Sequence, residues 1–318
     1  MNSSNNKLNL FDDLICINCQ CTLINSEKKI TCVKCKSSFP IVNNIPVLIK
    51  ENNSIFNIAD FVNESSTTFD RNYHNPSKFQ VLVNYLTPSI SMNLFAKKNY
   101  KLISDILPED AKILIVGGSI LGEGIEELYV KKDFQIVCSD VSFGPEIDII
   151  CDAHDLPFEN DYFDCVIIQA VLEHVLSPER CIAEVYRVLN KSGIVYSETP
   201  FMQQVHMRQY DFQRYTNLGH IRLFNNFNEI KSGPCGGPGM ALAWSIRYFL
   251  VSFVSSTKFM RYLDIVIKYF LFILKYFDFY LINKTAAYDS ASSFYFIGKK
   301  SDKKLSDRDL IKRFIGFS

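Results

Sequence analysis

A chain of 318 residues, 47% of them hydrophobic, is long enough for about two domains and a well-buried sheet core. Basic and acidic residues are equal at 34 each, so there is no basic surplus to hold nucleic acid. Residues 1–10 are polar and asparagine-rich, unlike a secretory leader. With ten cysteines, this argues for a reducing, cytoplasmic setting over a disulfide framework.

Four of those cysteines form two knuckles, Cys16-Ile17-Asn18-Cys19 and Cys32-Val33-Lys34-Cys35, separated by twelve residues. Each knuckle can place two thiolates on one side of a tight turn, and two facing knuckles build a tetrahedral zinc site. Cys21 is a nearby fifth thiol that could compete for a ligand place. Free thiols or a redox pair are the alternative, and the paired spacing favours structural zinc. So small a segment lacks a sufficient core of its own, so the metal would supply much of its folding energy. With Phe39-Pro40-Ile41-Val42-Asn43-Asn44-Ile45-Pro46-Val47-Leu48 behind the knuckles, residues 14–49 resemble a known small domain. It is the zinc ribbon found ahead of some bacterial methyltransferases and in tRNA-methyltransferase activator subunits. Four thiolates fill the metal shell, which implies a structural or partner-binding role.

Residues 51–73 are polar and rich in Asn and Ser, as a linker would be, and residues 76–107 carry helical periodicity. The apolar run Lys112-Ile113-Leu114-Ile115-Val116 then breaks into Gly117-Gly118-Ser119-Ile120-Leu121-Gly122-Glu123-Gly124 and a helix-compatible segment. A buried strand, a glycine turn and a helix start turn backbone N–H groups toward a ligand. A second β-rich run, residues 134–140, ends in Asp140, where a Rossmann-like fold grips ribose hydroxyls. A third, 147–152, ends in Asp152, and a fourth, 163–170, leads into Val171-Leu172-Glu173-His174-Val175. Pro178 sits in the first turn of a helix that should run over 180–189 and stop at Asn190-Lys191-Ser192-Gly193. A fifth strand over 194–199 closes at Pro200. This alternation predicts a doubly wound α/β sheet, with ligands outside the carboxyl ends of the strands.

Residues 113–200 resemble the class I S-adenosylmethionine-dependent methyltransferases. The resemblance lies in Asp152-Ala153-His154-Asp155-Leu156-Pro157-Phe158, Asp161-Tyr162-Phe163-Asp164, Leu172-Glu173-His174-Val175 and Arg187-Val188-Leu189 with Gly193, in that order. It implies a Rossmann-like sheet of the seven-stranded methyltransferase type, its last strand antiparallel. It further implies that the loop with Gly117, Gly118, Gly122 and Gly124 cradles the methionine part of S-adenosylmethionine. Asp140 would hold the ribose hydroxyls, Asp152 and Ala153 would line the adenine, and Gln169 would sit beside the methionine end. Tyr73 and His74 fall where related enzymes place a lid. Ile115 departs from the pattern, because many relatives carry an acid there. An NAD-dependent dehydrogenase shares the strand-loop-acid logic, but the Gly-x-Gly-x-x-Gly spacing it needs is absent.

Beyond the fifth strand, residues 205–220 are dense in groups that hold or move protons, and His206, Asp211 and His220 are the base candidates. The resemblance implies that Arg214 pairs with an acid and that Thr216 caps a helix. Ser232-Gly233-Pro234-Cys235-Gly236-Gly237-Pro238-Gly239 reads as a close-packed turn at the acceptor pocket or a plain loop between strand and helix. With Met240-Ala241-Leu242-Ala243-Trp244-Ser245 it looks similar to a subgroup of bacterial methyltransferases linked with surface-polysaccharide synthesis.

Residues 241–282 are unusually apolar and aromatic, in two segments, 241–254 and 263–282. At helical spacing Asp264, Lys268, Lys275 and Asp278 form a narrow polar stripe, and four charges argue against a membrane span. A buried helix, a homodimer interface and a helix lying on a membrane surface all suit that pattern. The expected organisation is a zinc ribbon at 1–50 and a linker at 51–75. A methyltransferase domain follows at 76–300 with an insertion at 241–290, then a charged tail at 301–318. The expected activity is methyl transfer to oxygen on a small molecule, a sugar or a lipid-linked glycan, in the cytoplasm or at the inner membrane face. An RNA methyltransferase using the ribbon, and a non-catalytic binding module, are the alternatives.

Overall fold

The computed structural model describes residues 10–63, 77–131 and 133–317. The expected lid pair Tyr73 and His74 therefore lies outside the described residues. Four short strands open the chain: β1 (Leu23–Ser26), β2 (Lys29–Cys32), β3 (Ser38–Val42) and β4 (Ile45–Leu48). Each pairs antiparallel with the next. Seven longer-range strands follow: β5 (Lys112–Val116), β6 (Gln135–Asp140), β7 (Ile149–Cys151), β8 (Phe163–Gln169), β9 (Leu189–Pro200), β10 (Phe227–Gly236) and β11 (Ser293–Lys300). Their order across the sheet is β7-β6-β5-β8-β9-β11-β10, parallel except that β11 runs antiparallel to both neighbours.

The cysteine-rich unit continues this sheet. β4 pairs parallel with β7, Val47 opposite Ile150 and Leu48 opposite Cys151. Leu14, Ile30 and Phe39 share one hydrophobic core with Leu114, Val137 and Val166 of the large sheet. Strand alternation sends Ile113 and Ile115 to one face and Leu114 and Val116 to the other. Both faces are covered, which is why the parallel strands are apolar throughout.

Several expectations change. The helix after β8 spans Pro178–Val188 and passes straight into β9, so Asn190 to Gly193 lie within that strand. The Asn190 side chain accepts from Ser192 N at 2.9 Å, turning the chain locally. Most of the second glycine cluster, Ser232 to Gly236, belongs to β10, and Pro238 opens the helix Pro238–Val251. The front of the expected linker is built into the fold: Ser54 Oγ donates to Asp152 at 2.5 Å, and Phe56 packs against Phe61 and Tyr210.

Between β10 and β11 the helices Pro238–Val251 and Thr257–Leu271 form a hairpin, continued by helical turns over Phe272–Phe277 and Asp278–Leu281. Its polar stripe points inward. Asp264 pairs with Arg247 and with Lys268, and Lys275 Nζ donates to the Ser89 carbonyl at 2.7 Å. Asp278 accepts from Gly239 N and Met240 N at 2.7 and 2.9 Å, satisfying the start of the first hairpin helix. Phe249, Phe253, Tyr262, Phe270, Phe277 and Tyr280 face outward, with Phe253 and Phe270 each 76% exposed.

Candidate active site

The carboxyl ends of β5 to β9 wall a cavity of about 740 Å³. Gly117, Gly122, Asp140, Asp152, Ala153, Gln169 and His206 line it, as do residues not singled out from the sequence, including Asn53, Phe56, Asn93 and Glu198. The β5 loop turns immediately: Gly117 N and Gly118 N both donate to the Ser139 carbonyl, at 2.8 and 3.0 Å. Gly117 has φ +83°, and a Cβ there would lie 2.3 Å from Val171 Cγ2. A Cβ on Gly122 would lie 1.7 Å from Gln169 Oε1, so only glycine lets the loop pass so close to that amide. Gly118 and Gly124 do not line the cavity. The first rests on Cys138, and the second approaches the backbone at Ala96 and Lys97.

The two strand-end acids occupy different surroundings. Asp140 accepts from Ser119 N at 2.9 Å, and burial raises its carboxyl above the usual range. Burial also works against ionised Asp152. Hydrogen bonds from His154 and Ser54 outweigh it and hold that carboxyl below its usual range.

Gln169 is locked at both ends. Its Oε1 accepts from Tyr100 OH at 2.7 Å and its Nε2 donates to Glu198 Oε2 at 2.8 Å. Glu198 also accepts from Asn93 Nδ2 at 3.0 and 2.8 Å and from Tyr196 OH. This carboxylate is buried, and desolvation raises its pKa. The signal for it was an acid at the carboxyl end of the fifth strand, the same signal that marks Asp140 and Asp152. Asn93 and Tyr100, far away in sequence, carried none.

The three base candidates separate. His206 is on the cavity wall, its Nδ1 3.4 Å from Asp211 Oδ2. Asp211 stands behind it, held by Arg214 and by His206 N at 2.8 Å, and is not in the lining. Burial opposes its charge, but Arg214 and the backbone donor bring its carboxyl down to about 2. The Arg214 pairing matches the expectation from the resemblance, as does Thr216, whose hydroxyl accepts from Gly219 N and caps the helix Asn217–Leu223. His220 is remote from the lining: it is buried, bonded to Ser197 Oγ at 2.9 Å and packed on Phe224 and Phe296. Beside His206 stand His174, with ring centroids 4.9 Å apart, and fully buried Glu173, whose carboxyl burial pushes up to about 8.

At the other end of the chain, Cys16, Cys19, Cys32 and Cys35 bring their sulfurs within 4.8 Å of one another. Cys16 and Cys35 are 3.5 Å apart, Cys19 and Cys32 3.4 Å. Backbone N–H groups of Lys34 and Cys35 point at the Cys32 sulfur, and the Ser37 hydroxyl and backbone N–H lower the Cys35 thiol to about 6. Such a donor set suits a tetrahedral thiolate-bound ion. Cys21 is outside it, bonded to the Cys19 carbonyl.

A family model described as "Methyltransferase domain" matches residues 128–197, the stretch from the end of the first glycine-loop helix through most of β9. No curated protein matches the chain in sequence. Among solved structures, the chain is similar to a Burkholderia thailandensis 1,6-didemethyltoxoflavin-N1-methyltransferase with bound S-adenosylhomocysteine. That likeness is 10% identical, covers 85% of this chain and 98% of that one, and has a TM-score of 0.43. A Haemonchus contortus phosphoethanolamine N-methyltransferase 2 in complex with S-adenosyl-L-methionine is 14% identical, with 75% and 61% covered and a TM-score of 0.44. The family match lies on β6 to β9, strands that wall this cavity, and the chain is an S-adenosylmethionine-dependent methyltransferase.

Proposed function

We propose that the chain methylates an oxygen of a sugar or lipid-linked glycan, at the inner face of a membrane, with zinc structural in the four-cysteine unit. S-adenosylmethionine, when bound, supplies an electrophilic sulfonium methyl group. Gly117 and Gly122 keep the loop low enough for the methionine part, Asp140 takes the ribose hydroxyls, and Asp152 with Ala153 borders the adenine. Glu198 takes the place of the acid absent at Ile115. Ile115, Ile167 and Tyr196 lie on one face of adjoining strands, and Gln169 and Glu198 extend that face to the cavity. The buried carboxylate faces the methionine ammonium, and Gln169, Asn93 and Tyr196 hold it in place. Of the three base candidates, His206 alone lines the cavity where an acceptor hydroxyl would sit, with Asp211 3.4 Å from its Nδ1. The residues otherwise act by aligning the acceptor oxygen and excluding water.

The Glu198 network beside the glycine loop carries the cofactor reading. Calorimetry should show S-adenosylmethionine binding to the chain. Glu198→Gln, which preserves shape and removes charge, should weaken it about tenfold, or roughly 1.4 kcal/mol. Equal affinity in the variant would remove Glu198 from the ammonium contact. The acceptor reading rests on the hairpin, because Met240 lines the cavity while Trp244 and Tyr248 bond to Ser91 and Val205 at its edge. Incubating methyl-labelled cofactor with cell-envelope, RNA and protein fractions should put label in the envelope. Label in RNA would overturn that acceptor.

A further inference from the structure

The corner of the cavity formed by Glu173, His174 and His206 contains an unexplained buried group. Glu173 is fully buried, and neither carboxylate oxygen has a hydrogen-bond partner among the described residues. Leaving a buried carboxylate unpaired is costly, and a neutral carboxyl would still need an acceptor for its hydrogen. Two imidazole nitrogens approach it, His174 Nε2 at 3.6 Å and His206 Nε2 at 3.9 Å from Glu173 Oε1. Those separations are too long for hydrogen bonds. They suit ligands sharing one ion, since two atoms each bonded at about 2.1 Å lie roughly 3–4 Å apart.

The histidines are also oriented for ligation. His174 Nδ1 is 2.8 Å from the Tyr210 carbonyl, which keeps the hydrogen on Nδ1 and leaves the Nε2 lone pair free. His206 Nδ1 bonds to the Gln204 carbonyl at 3.4 Å and lies 3.4 Å from the carboxylate of Asp211, which Arg214 anchors. An imidazole whose far nitrogen donates to a carbonyl or carboxylate is the usual outer-shell arrangement of a histidine metal ligand. The backbone fixes the corner further: Phe212 N donates to the Glu173 carbonyl at 2.8 Å. All three ligand atoms lie within 4.8 Å of one another.

We propose that Glu173, His174 and His206 form a second metal site, taking a first-row divalent cation of the zinc, cobalt or ferrous class. Two nitrogens and one oxygen match that class better than magnesium or calcium, which prefer all-oxygen shells. His174 and His206 line the cavity, so the remaining coordination positions open onto it. This deepens the methyl-transfer reading and rests on it for the role of the site. An acceptor hydroxyl bound to the cation would lose its proton to water, and the resulting oxygen anion would form the new bond to the methyl carbon. The carbon–sulfur bond breaks with both electrons remaining on sulfur, so the sulfonium leaves as a neutral thioether. His206 then serves as a ligand, not as the base.

The test titrates cobalt(II) into the full chain whose four-cysteine site is already filled with zinc. The expected result is one saturable equivalent with visible d–d bands and no thiolate-to-cobalt charge transfer. Glu173→Gln and His206→Ala should each weaken it at least tenfold. His206→Asp, which restores an oxygen ligand, should recover part of the affinity. Thermal midpoints measured without cobalt verify that His206→Ala is folded, and its side chain is already 26% exposed. No saturable band in the wild type, or an unchanged band in His206→Ala, overturns the site. Calorimetry with S-adenosylmethionine on the same samples separates the two readings: cobalt binding without cofactor binding would keep the metal site and remove methyl transfer.

Discussion

His220 shows how a residue with catalytic chemistry can serve packing instead. It sits between Ser197 and the rings of Phe224 and Phe296, and burial pushes its imidazole down to about 3. In the unfolded chain the ring titrates near 6.5. The folded pKa is therefore depressed, and the unfolded state binds the proton first as pH falls. The stability linked to the neutral ring is complete above about pH 6.5 and is lost progressively toward pH 3, by at most ~1.4 kcal/mol per pH unit. Wild type should exceed His220→Gln in denaturant stability at pH 7, and that gap should narrow between pH 6 and pH 4. A gap independent of pH would deny the ring this role. Its type and its place in the segment after β9 were visible in the sequence, but its partners were not. Ser197 and Phe296 reach it from two other strands. Glu198 is the converse: its position at a strand end was readable, while the Asn93 and Tyr196 bonds that hold it arise only from folding.

At the scale of elements, the cysteine-rich unit is tied to the sheet by more than a linker. β4 hydrogen-bonds to β7, and Ile15 N donates to the Pro157 carbonyl at 3.0 Å. Asp152, the residue directly after β7, lines the cavity. Loss of the zinc proposed for the four cysteines should therefore disturb the cavity as well as the cysteine-rich unit. Cys35→Ser should abolish zinc retention at that site and lower the thermal midpoint by about 10 °C, or roughly 3–5 kcal/mol at this chain length. Amide exchange should rise in β1–β4 and also in β7. Exchange confined to β1–β3 would mean that β4 holds to the sheet without the metal. The parallel strands were legible because both faces are buried, which leaves uninterrupted Ile, Leu and Val. β10 was not. It contains Asn228, Glu229, Lys231, Gly233 and Pro234, is half exposed at the sheet edge, and is specified by its pairing with β11. Asn53 on the cavity wall and Ser54 on Asp152 were likewise read as linker, because isolated polar contacts leave no periodic pattern.

Across the whole molecule, the hairpin reverses the usual sense of an amphipathic helix. Asp264 and Asp278, the only acids from residue 238 to 284, are both engaged inward, the first in ion pairs and the second on backbone N–H groups. Lys258, Arg261 and Lys284 have no ion pair among the described residues, and Lys284 lies 4.2 Å over the Tyr280 ring. The outward surface is thus aromatic with a surplus of positive charge, joined by Leu82 and Tyr85 of the helix Lys78–Leu86. Among the described residues no helix is long and apolar enough to cross a membrane. The membrane contact proposed above fits both features on an anionic bilayer: aromatic side chains enter the interface and lysines reach phosphate. The chain should cosediment with phosphatidylglycerol vesicles more strongly than with phosphatidylcholine vesicles, and salt should weaken the binding. Phe253→Asp combined with Phe270→Asp should lower it at least tenfold, with little cost to folding because both rings are already exposed. Sedimentation velocity on the same pair covers the alternative. If the wild type is a dimer that these substitutions dissociate, the face belongs to a second copy of the chain; if both are monomers and only vesicle binding falls, it belongs to the membrane.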